Sequence, residues 1–486
     1  MMQPQYKKQI DEWIDSHADE MVKDLSTLMR IPSVRGQAQD GMPYGPEPAR
    51  ALEAMKDLMD TYGLHTRNYE NHCVTGDLDP GKEKTLDILA HLDVVPVSDT
   101  WTKTQPFEPY VEGDRIYGRG SCDDKGPAIA ALYAMRAVRE TGIELKHSVR
   151  LICGSDEECG SGDLAYYYGI EKEAKYTFTP DADYPLINIE KGRLASEFTA
   201  QSGQEEADAV SSKDRFRVIS LHAGDKENVV PGLAEMTLAG GDPELLDKAS
   251  EEVRKLTGAG ISYSCVDGRY QVTVRGNTGH ASTPQNALNA LTAALKLLET
   301  IPLVQRSGED MLMTAASLWP HGDHNGSALG VALRDEESGE LTMSLDVLHY
   351  EAKGETENSF SLCGCYDCRA PLCANDENLT EKVREQLARE GMCMKEEAMT
   401  PAHCVPSDSE LVRKLLESYE LYFGEKGEPV AIGGGTYVHQ LKNGVAFGCA
   451  EPDVDNHMHG DDEFMKLSIL YKSAKIFADA IIRLCG

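Results

Sequence analysis

Imidazoles and carboxylates recur in five short clusters along the 486-residue chain: His91-Leu92-Asp93, Asp123-Asp124-Lys125-Gly126, Glu157-Glu158, Asp181, and His457-Met458-His459 followed by Glu463. Each sits at or just past the end of an apolar run that reads as a buried strand. One strand edge would then carry two imidazoles and several carboxylates. That is the ligand chemistry of a carboxylate-bridged pair of divalent metal ions, with one carboxylate left over to act as a base.

Taken singly, each cluster also has an ordinary structural explanation. Asp93 lies two positions beyond His91, on the same side of an extended chain, where it can orient the imidazole and fix its tautomer. Asp123 falls just before a helix N-terminus, where the dipole favours its ionised form and its two oxygens can bridge two cations. An N-cap is the alternative there, and it fits Asp124 better than Asp123. Glu157 and Glu158 repel each other unless cations or different environments separate their roles, so one can ligate while the other moves a proton. Asp181 follows Pro180 at a strand exit, a position open to a plain turn residue. His459 stands four residues before Glu463, whereas His457 has no such partner.

The elements that must position these groups can be read from the apolar pattern. Leu86–Ala90, Ser148–Cys153, Tyr176–Thr179 and Val445–Cys449 read as strands. A helix opens near Asp124 and Pro127 and closes at Gly142. Strand–helix–strand alternation predicts an α/β fold whose mostly parallel sheet carries helices on both faces. In such sheets ligands bind outside the carboxyl ends of the strands, where the motifs cluster. The stretch from 192 to 402 differs, with hairpin-like and helical units joined by polar connections such as Gly224-Asp225-Lys226-Glu227 and Gly354-Glu355-Thr356-Glu357-Asn358. Leu233–Ala239 followed by helical Pro243–Leu256 matches Leu341–Leu348 and Ser359–Ala370 followed by helical Glu377–Glu390. The expected organisation is a first segment of the motif-bearing domain over 1–191, an inserted α+β domain of two related halves over 192–402, and a second segment of the first domain over 403–486.

Composition narrows the partners. With 48 basic and 81 acidic residues the formal charge is −33, a field that repels nucleic acid and anionic membrane surfaces and concentrates cations. The N-terminal pattern Ile10, Trp13, Ile14, Met21, Leu25, Leu28 is an amphipathic helix without an export-type apolar region, and no apolar run reaches spanning length. Thirteen scattered cysteines read as reduced thiols of a cytoplasmic protein. Cys363, Cys365, Cys368 and Cys373 are dense, but no second pair follows at zinc-finger spacing, so alternation on a strand explains them.

Tyr117-Gly118-Arg119-Gly120-Ser121-Cys122-Asp123-Asp124-Lys125-Gly126-Pro127, with His91 to Pro96, Asp156-Glu157-Glu158, Pro180-Asp181 and His459 to Glu463, resembles the dinuclear zinc metallopeptidase family of carboxypeptidase G, aminoacylase, carnosinase and bacterial dipeptidase V. The likeness spans the chain and is strongest to the dipeptidase V branch. It implies that His91, Asp123 and Asp181 hold one ion, that Asp123, Glu158 and His459 hold the other, that Glu157 is the general base and that Asp93 orients. It further implies that the motif-bearing domain is catalytic and the inserted one a lid, whose residues meet the substrate: His280 in Gly276–Pro284 for the oxyanion, Asn228, and Arg369 for the substrate carboxylate, which a guanidinium can grip at both oxygens. Gly433-Gly434-Gly435-Thr436 offers backbone N–H groups for an anion nest, although Tyr437-Val438-His439 departs from the family's continuation. The implied cofactors are two divalent ions, zinc with manganese or cobalt as alternatives. The implied activity is hydrolysis of unmodified dipeptides by a catalytically self-sufficient monomer. The rivals are an N-acyl amino-acid amidohydrolase on the same scaffold and a non-catalytic metal- or peptide-binding protein.

Overall fold

The computed structural model describes residues 5–202, 214–353 and 359–486. The connection expected at Gly354–Asn358 lies outside them. The chain forms two compact units: Met1–Ile189 with Cys404–Ala431 and Gly435–Gly486, and Glu190–His403 with Ile432–Gly434.

The first unit is built on strands β1 (His65–Tyr69), β2 (Cys73–Leu78), β3 (Lys84–His91), β4 (Tyr110–Glu112), β5 (Arg115–Tyr117), β6 (Ser148–Gly154) and β7 (Tyr176–Thr179). Its main sheet runs β1-β2-β6-β3-β7, then Gly444–Ala446 and Ile187–Glu190. The sheet is parallel at its centre, where β3 pairs β6 and β7 and Gly444–Ala446 pairs β7. It turns antiparallel towards its flanks, in β1–β2, β2–β6 and the bridge Ala446 to Ile187. The parallel core needs crossover helices, whereas the β1–β2 hairpin closes over a short turn.

Along β3, Leu86, Ile88 and Ala90 join one apolar cluster and Leu89 another, on opposite sides of the sheet. The first cluster takes in the helices Lys7–Ser16, Ala18–Met29, Pro46–Thr61, Lys125–Glu140 and Leu467–Cys485. Helix Lys125–Glu140 is buried almost all round, and its alanines at 128, 130, 131, 134 and 137 allow neighbouring helices to approach closely. The second cluster receives Leu164 and Tyr167 from helix Gly162–Ile170 and Tyr437, Val438 and Leu441 from a late turn. The α/β architecture with helices on both faces is therefore present.

In the second unit the expected separate pieces merge into one eight-stranded sheet. Its order is Gly260–Val266, Arg269–Arg275, Leu233–Gly240, Phe216–Ala223, Thr342–Lys353, Ser359–Ala370, Gly192–Gln201 and Cys393–Met394. The two related halves meet where Phe216–Ala223 pairs antiparallel with Thr342–Lys353. Fusing them removes two strand edges that would otherwise offer unpaired backbone groups. Cys363, Cys365 and Cys368 lie on Ser359–Ala370, and none of the thirteen cysteines is in a disulfide.

Asp346 is buried in this sheet, accepting from the Ser344 hydroxyl at 2.5 Å. Burial pushes its carboxyl up to about 8 against that bond. Above the ordinary carboxylate range the unfolded chain has released this proton and the folded one has not, so folding stability falls as pH rises towards 8. Asp346→Asn should flatten that decline, checked by thermal melts between pH 4 and 8.5. A variant whose pH dependence matches wild type would contradict it.

Candidate metal centre

His91 closes β3, and its position is fixed from three directions. Its backbone N–H donates to Asp124 Oδ2 at 3.0 Å. Ring Nδ1 lies 3.1 Å from the Asp93 carbonyl oxygen. A carbonyl can only accept, so Nδ1 carries a proton, and the ring when neutral presents a lone pair at Nε2. That atom lies 2.9 Å from Asp123 Oδ1 and 3.6 Å from Asp181 Oδ2. Yet it is buried without a partner in hydrogen-bonding geometry among the described residues, as is Glu158 Oε1. In the cation-free cluster burial disfavours the charged ring, but Asp123, Asp181 and Asp93 more than offset it and raise the imidazole well above its usual range. With the ring neutral, the short His91–Asp123 separation is a contact between two acceptors. A cation reconciles them.

The second oxygen of Asp123 faces the other imidazole: His459 Nε2 is 2.8 Å from Asp123 Oδ2 and 3.3 Å from Glu158 Oε1. His459 adopts a left-handed backbone, φ 61°, a conformation uncommon outside glycine and one that must be held in place. His91 lies within one coordination radius of Glu157 and Asp181, and also of Asp123 and Glu158. All six groups converge, and the donor set of imidazoles and carboxylates fits a pair of hard-to-borderline dications.

Electrostatics agree with that fit. Burial works against the charged form of Asp123, but His459 and His91 more than offset it and hold the carboxyl far below its usual range. Asp123, then Glu158, push the His459 imidazole up to about 11. Burial, reinforced by Asp123, pushes Glu158 up to about 7. Burial likewise raises Glu157, with Asp181 and Glu158 adding to it, and raises Asp181, with Asp123 adding. Protons must neutralise this cluster where cations do not.

Two expectations change in detail. Asp124 stands at the N-cap of helix Lys125–Glu140 but makes no side-chain cap there; its carboxylate turns to the His91 backbone instead. Asp93 touches His91 mainly through its carbonyl. Its carboxylate is 3.5 Å from Nδ1 and accepts the backbone N–H groups of Glu157 and Glu158 at 3.3 and 3.1 Å. A strand spacing of two residues shows which side a residue faces, not which of its oxygens is nearer.

In the second unit Asn228 and His280 come together, with Ala281 N–H donating to the Asn228 carbonyl at 3.0 Å and Val229 paired with His280. His280 Nδ1 accepts from Ser282 N–H at 3.1 Å, which puts the proton of a neutral ring on Nε2. Arg369 is buried and forks onto Asp367 at 2.6 and 3.2 Å, with a third bond to the Gly433 carbonyl at 2.7 Å. Gly433, Gly434 and Gly435 all lack a positive φ, so the run does not form an alternating-handed anion nest. Thr436 is occupied as the cap of the turn Tyr437–Gln440.

The sequence profile described as Peptidase family M20/M25/M40 matches residues 88–483. The chain belongs to that family. It is 31% identical over 480 residues to the Beta-Ala-Xaa dipeptidase of Lactobacillus delbrueckii subsp. lactis, covering 97% of each chain. Its fold is similar to human carnosine dipeptidase 1, with TM-score 0.56, 15% identity and 99% of each chain covered. The same holds for the di-peptidase Dug1p of Saccharomyces cerevisiae, with TM-score 0.56, 14% identity and 98% of each chain covered. This M20/M25/M40 chain is a peptide hydrolase.

The loop that carries Glu157 and Glu158 is held by residues the motifs did not single out. Asp163 Oδ2 accepts from the N–H groups of Ser155 and Asp156 at 2.6 and 2.9 Å, and from the Tyr437 hydroxyl at 2.5 Å. With Asp93, two buried aspartates therefore take four consecutive backbone donors. Arg35 pairs with Asp156 on the outer side. Gly154 is required at the start of the loop, because a Cβ there would run into the Tyr437 hydroxyl and the Asp163 carboxylate. The available signal was the isolated Asp163 on an otherwise uncharged helix segment, which alone carries no direction. Burial pushes Asp163 up to about 6, opposed chiefly by Tyr437. Tyr437→Phe should therefore cost about 1.5–3 kcal/mol, the worth of a hydrogen bond to a charged group. The loss should shrink below pH 6, where the carboxyl is protonated. Chemical denaturation at pH 5 and pH 8 checks both statements.

Proposed function

We propose that this M20/M25/M40 chain is a dinuclear metal-dependent dipeptidase acting on unmodified dipeptides. The observation that carries the reading is Asp123, whose two oxygens each face a different imidazole inside a buried set of lone pairs. His91, Asp123 and Asp181 would hold one ion and Asp123, Glu158 and His459 the other, with zinc the proposed metal and manganese or cobalt compatible with the same donors. When bound, the two ions supply Lewis-acid polarisation of the scissile carbonyl and acidify water.

The chain's own residues do the rest. Glu157 sits among the ligands with its carboxyl raised by burial, the environment of a group that takes a proton from water and returns it to the leaving amine. Asp93 keeps Glu157 and Glu158 in register by holding their backbone amides. We assign oxyanion donation to His280 Nε2–H and contact with the substrate backbone to Asn228. Arg369 is assigned to the substrate carboxylate, with its fork onto Asp367 fixing the guanidinium plane. We keep Gly434, Gly435 and Thr436 as backbone contacts to that carboxylate rather than as a nest. The reading includes a catalytically self-sufficient monomer, in which one chain supplies both the metal ligands and the lid residues.

The name of the Lactobacillus relative supports dipeptides over acylated amino acids as the substrate class. Among the described residues no helix is long and apolar enough to cross a membrane, and we place the enzyme in the cytoplasm on thirteen cysteines that form no disulfide. Nucleic acid is not an expected partner at a charge of −33.

Glu157→Gln should retain two metal ions per chain while turnover falls by about 10²–10⁴-fold. Metal analysis and a dipeptide-library assay on the same preparation check this. Near-native turnover would overturn the role of Glu157. A wild-type enzyme that cleaves N-acetyl or N-succinyl amino acids and leaves free dipeptides intact would replace the dipeptidase reading with the amidohydrolase one.

A further inference from the structure

Arg119 and Glu463 are 344 residues apart in sequence and lie against each other at 2.5 Å, with side chains 2% and 0% exposed. Neither belongs to the ligand set, and a buried ion pair is weak evidence for stability in itself. What distinguishes this one is where its remaining bonds go. Arg119 Nη2 donates to the carbonyls of His459 and Gly460 at 3.1 and 3.0 Å. Glu463 Oε1 accepts the backbone N–H of Cys122 at 3.0 Å, with the Ser121 hydroxyl at 3.3 Å and the Cys122 thiol at 3.4 Å. Each member of the pair reaches across to the segment carrying the other's metal-site neighbour: Arg119 holds His459, and Glu463 holds the residue before Asp123.

The backbone around the pair repeats the exchange. Gly118 N–H donates to the Glu463 carbonyl at 2.9 Å, and Phe464–Lys466 pairs antiparallel with β5, Phe464 opposite Tyr117. The His459 segment needs such a clamp, since His457, His459 and Asp462 all have left-handed backbones at φ 58°, 61° and 56°.

We propose that Arg119 and Glu463 are a positioning pair that sets the distance between Asp123 and His459, and so specifically builds the second of the two metal sites. The inference rests on the dinuclear reading above. His91 and Asp181 reach the first site from β3 and β7, and the clamp touches that site only through the shared Asp123, whereas the second site depends on it for His459 as well. The second should therefore respond more strongly to its loss.

The test is zinc titration of the metal-stripped full chain by calorimetry with a competing chelator, in wild type, Glu463→Gln and the double variant Arg119→Met, Glu463→Leu. The double variant removes both charges together and so avoids stranding one of them if the single variant does not fold. The expected result is two ions bound by wild type. In the folded variants the second ion should weaken by about 10–100-fold, the usual effect of losing a group that orients a ligand, and the first, which shares only Asp123 with the clamp, markedly less. In cobalt-loaded protein the part of the visible spectrum belonging to the second site should fade more than the rest, and kcat should fall with KM retained. Folded variants that bind both ions as wild type does overturn the inference. So does an equal weakening of both ions with a lowered Tm, which is the mark of a merely structural pair. A wild-type chain that takes up fewer than two ions overturns the dinuclear reading instead.

Discussion

Asp123 presents one oxygen to His91 at 2.9 Å and the other to His459 at 2.8 Å, deep in the first compact unit. Burying a carboxylate is unfavourable unless it is paired, and here the neighbours add to the difficulty. Asp181, Glu157 and Glu158 are also acids, and burial pushes each of them towards the neutral form. With Nδ1 of His91 committed to a carbonyl, its Nε2 has no proton to offer unless the ring becomes charged. Such a cluster is consistent with a stable fold only where positive charge enters it. On the proposed reading, the concentration of acids that looks like a defect in a cation-free cavity is the condition for holding two cations, and the surrounding bonds serve to keep the acids from separating.

Those bonds explain what sequence could and could not reveal. His91, Asp181 and the Glu157-Glu158 pair were legible as chemistry because each ends an apolar run, and parallel strands line up their carboxyl ends on one edge. The centre of the sheet is parallel as those runs imply, with β3 between β6 and β7. His459 was legible as a ligand type, but nothing local says that it approaches Asp123. That approach is made by β5, Phe464–Lys466 and the Arg119–Glu463 pair, all of which couple positions more than 300 residues apart. Asp163 and Tyr437 escaped for the same reason: their bond crosses 274 residues, and neither residue type announces a partner. Asp124 stands at the N-cap as its place before the helix suggests, but only tertiary structure shows its carboxylate spent on His91 N–H instead of on the cap. In the second unit the strands were recognisable from alternation, but alternation carries no pairing information, so the fusion of both halves into one sheet was not.

The position of the second unit in the chain bears on how the metal centre survives such a long interruption. The first unit is left at Ile189 and re-entered at Cys404, and Val405 N–H donates to the Asn188 carbonyl at 2.9 Å. Asn188 reinforces the junction with its side-chain amide on the Val405 carbonyl at 2.8 Å. Exit and return are therefore adjacent, and for the first unit the whole insertion behaves as one closed loop. The entropic cost of closing a loop grows only slowly with its length, and a segment with its own apolar core loses little of that entropy in the closure, having already been ordered by its own packing. The segment from Cys404 onward can then complete the parallel sheet through Gly444–Ala446 beside β7 and deliver His459 to Asp123. An insertion whose ends lay far apart would have had to strain that return path. The left-handed turns around His459 would then be the first part of the site to give way, because they are the least favoured backbone in it.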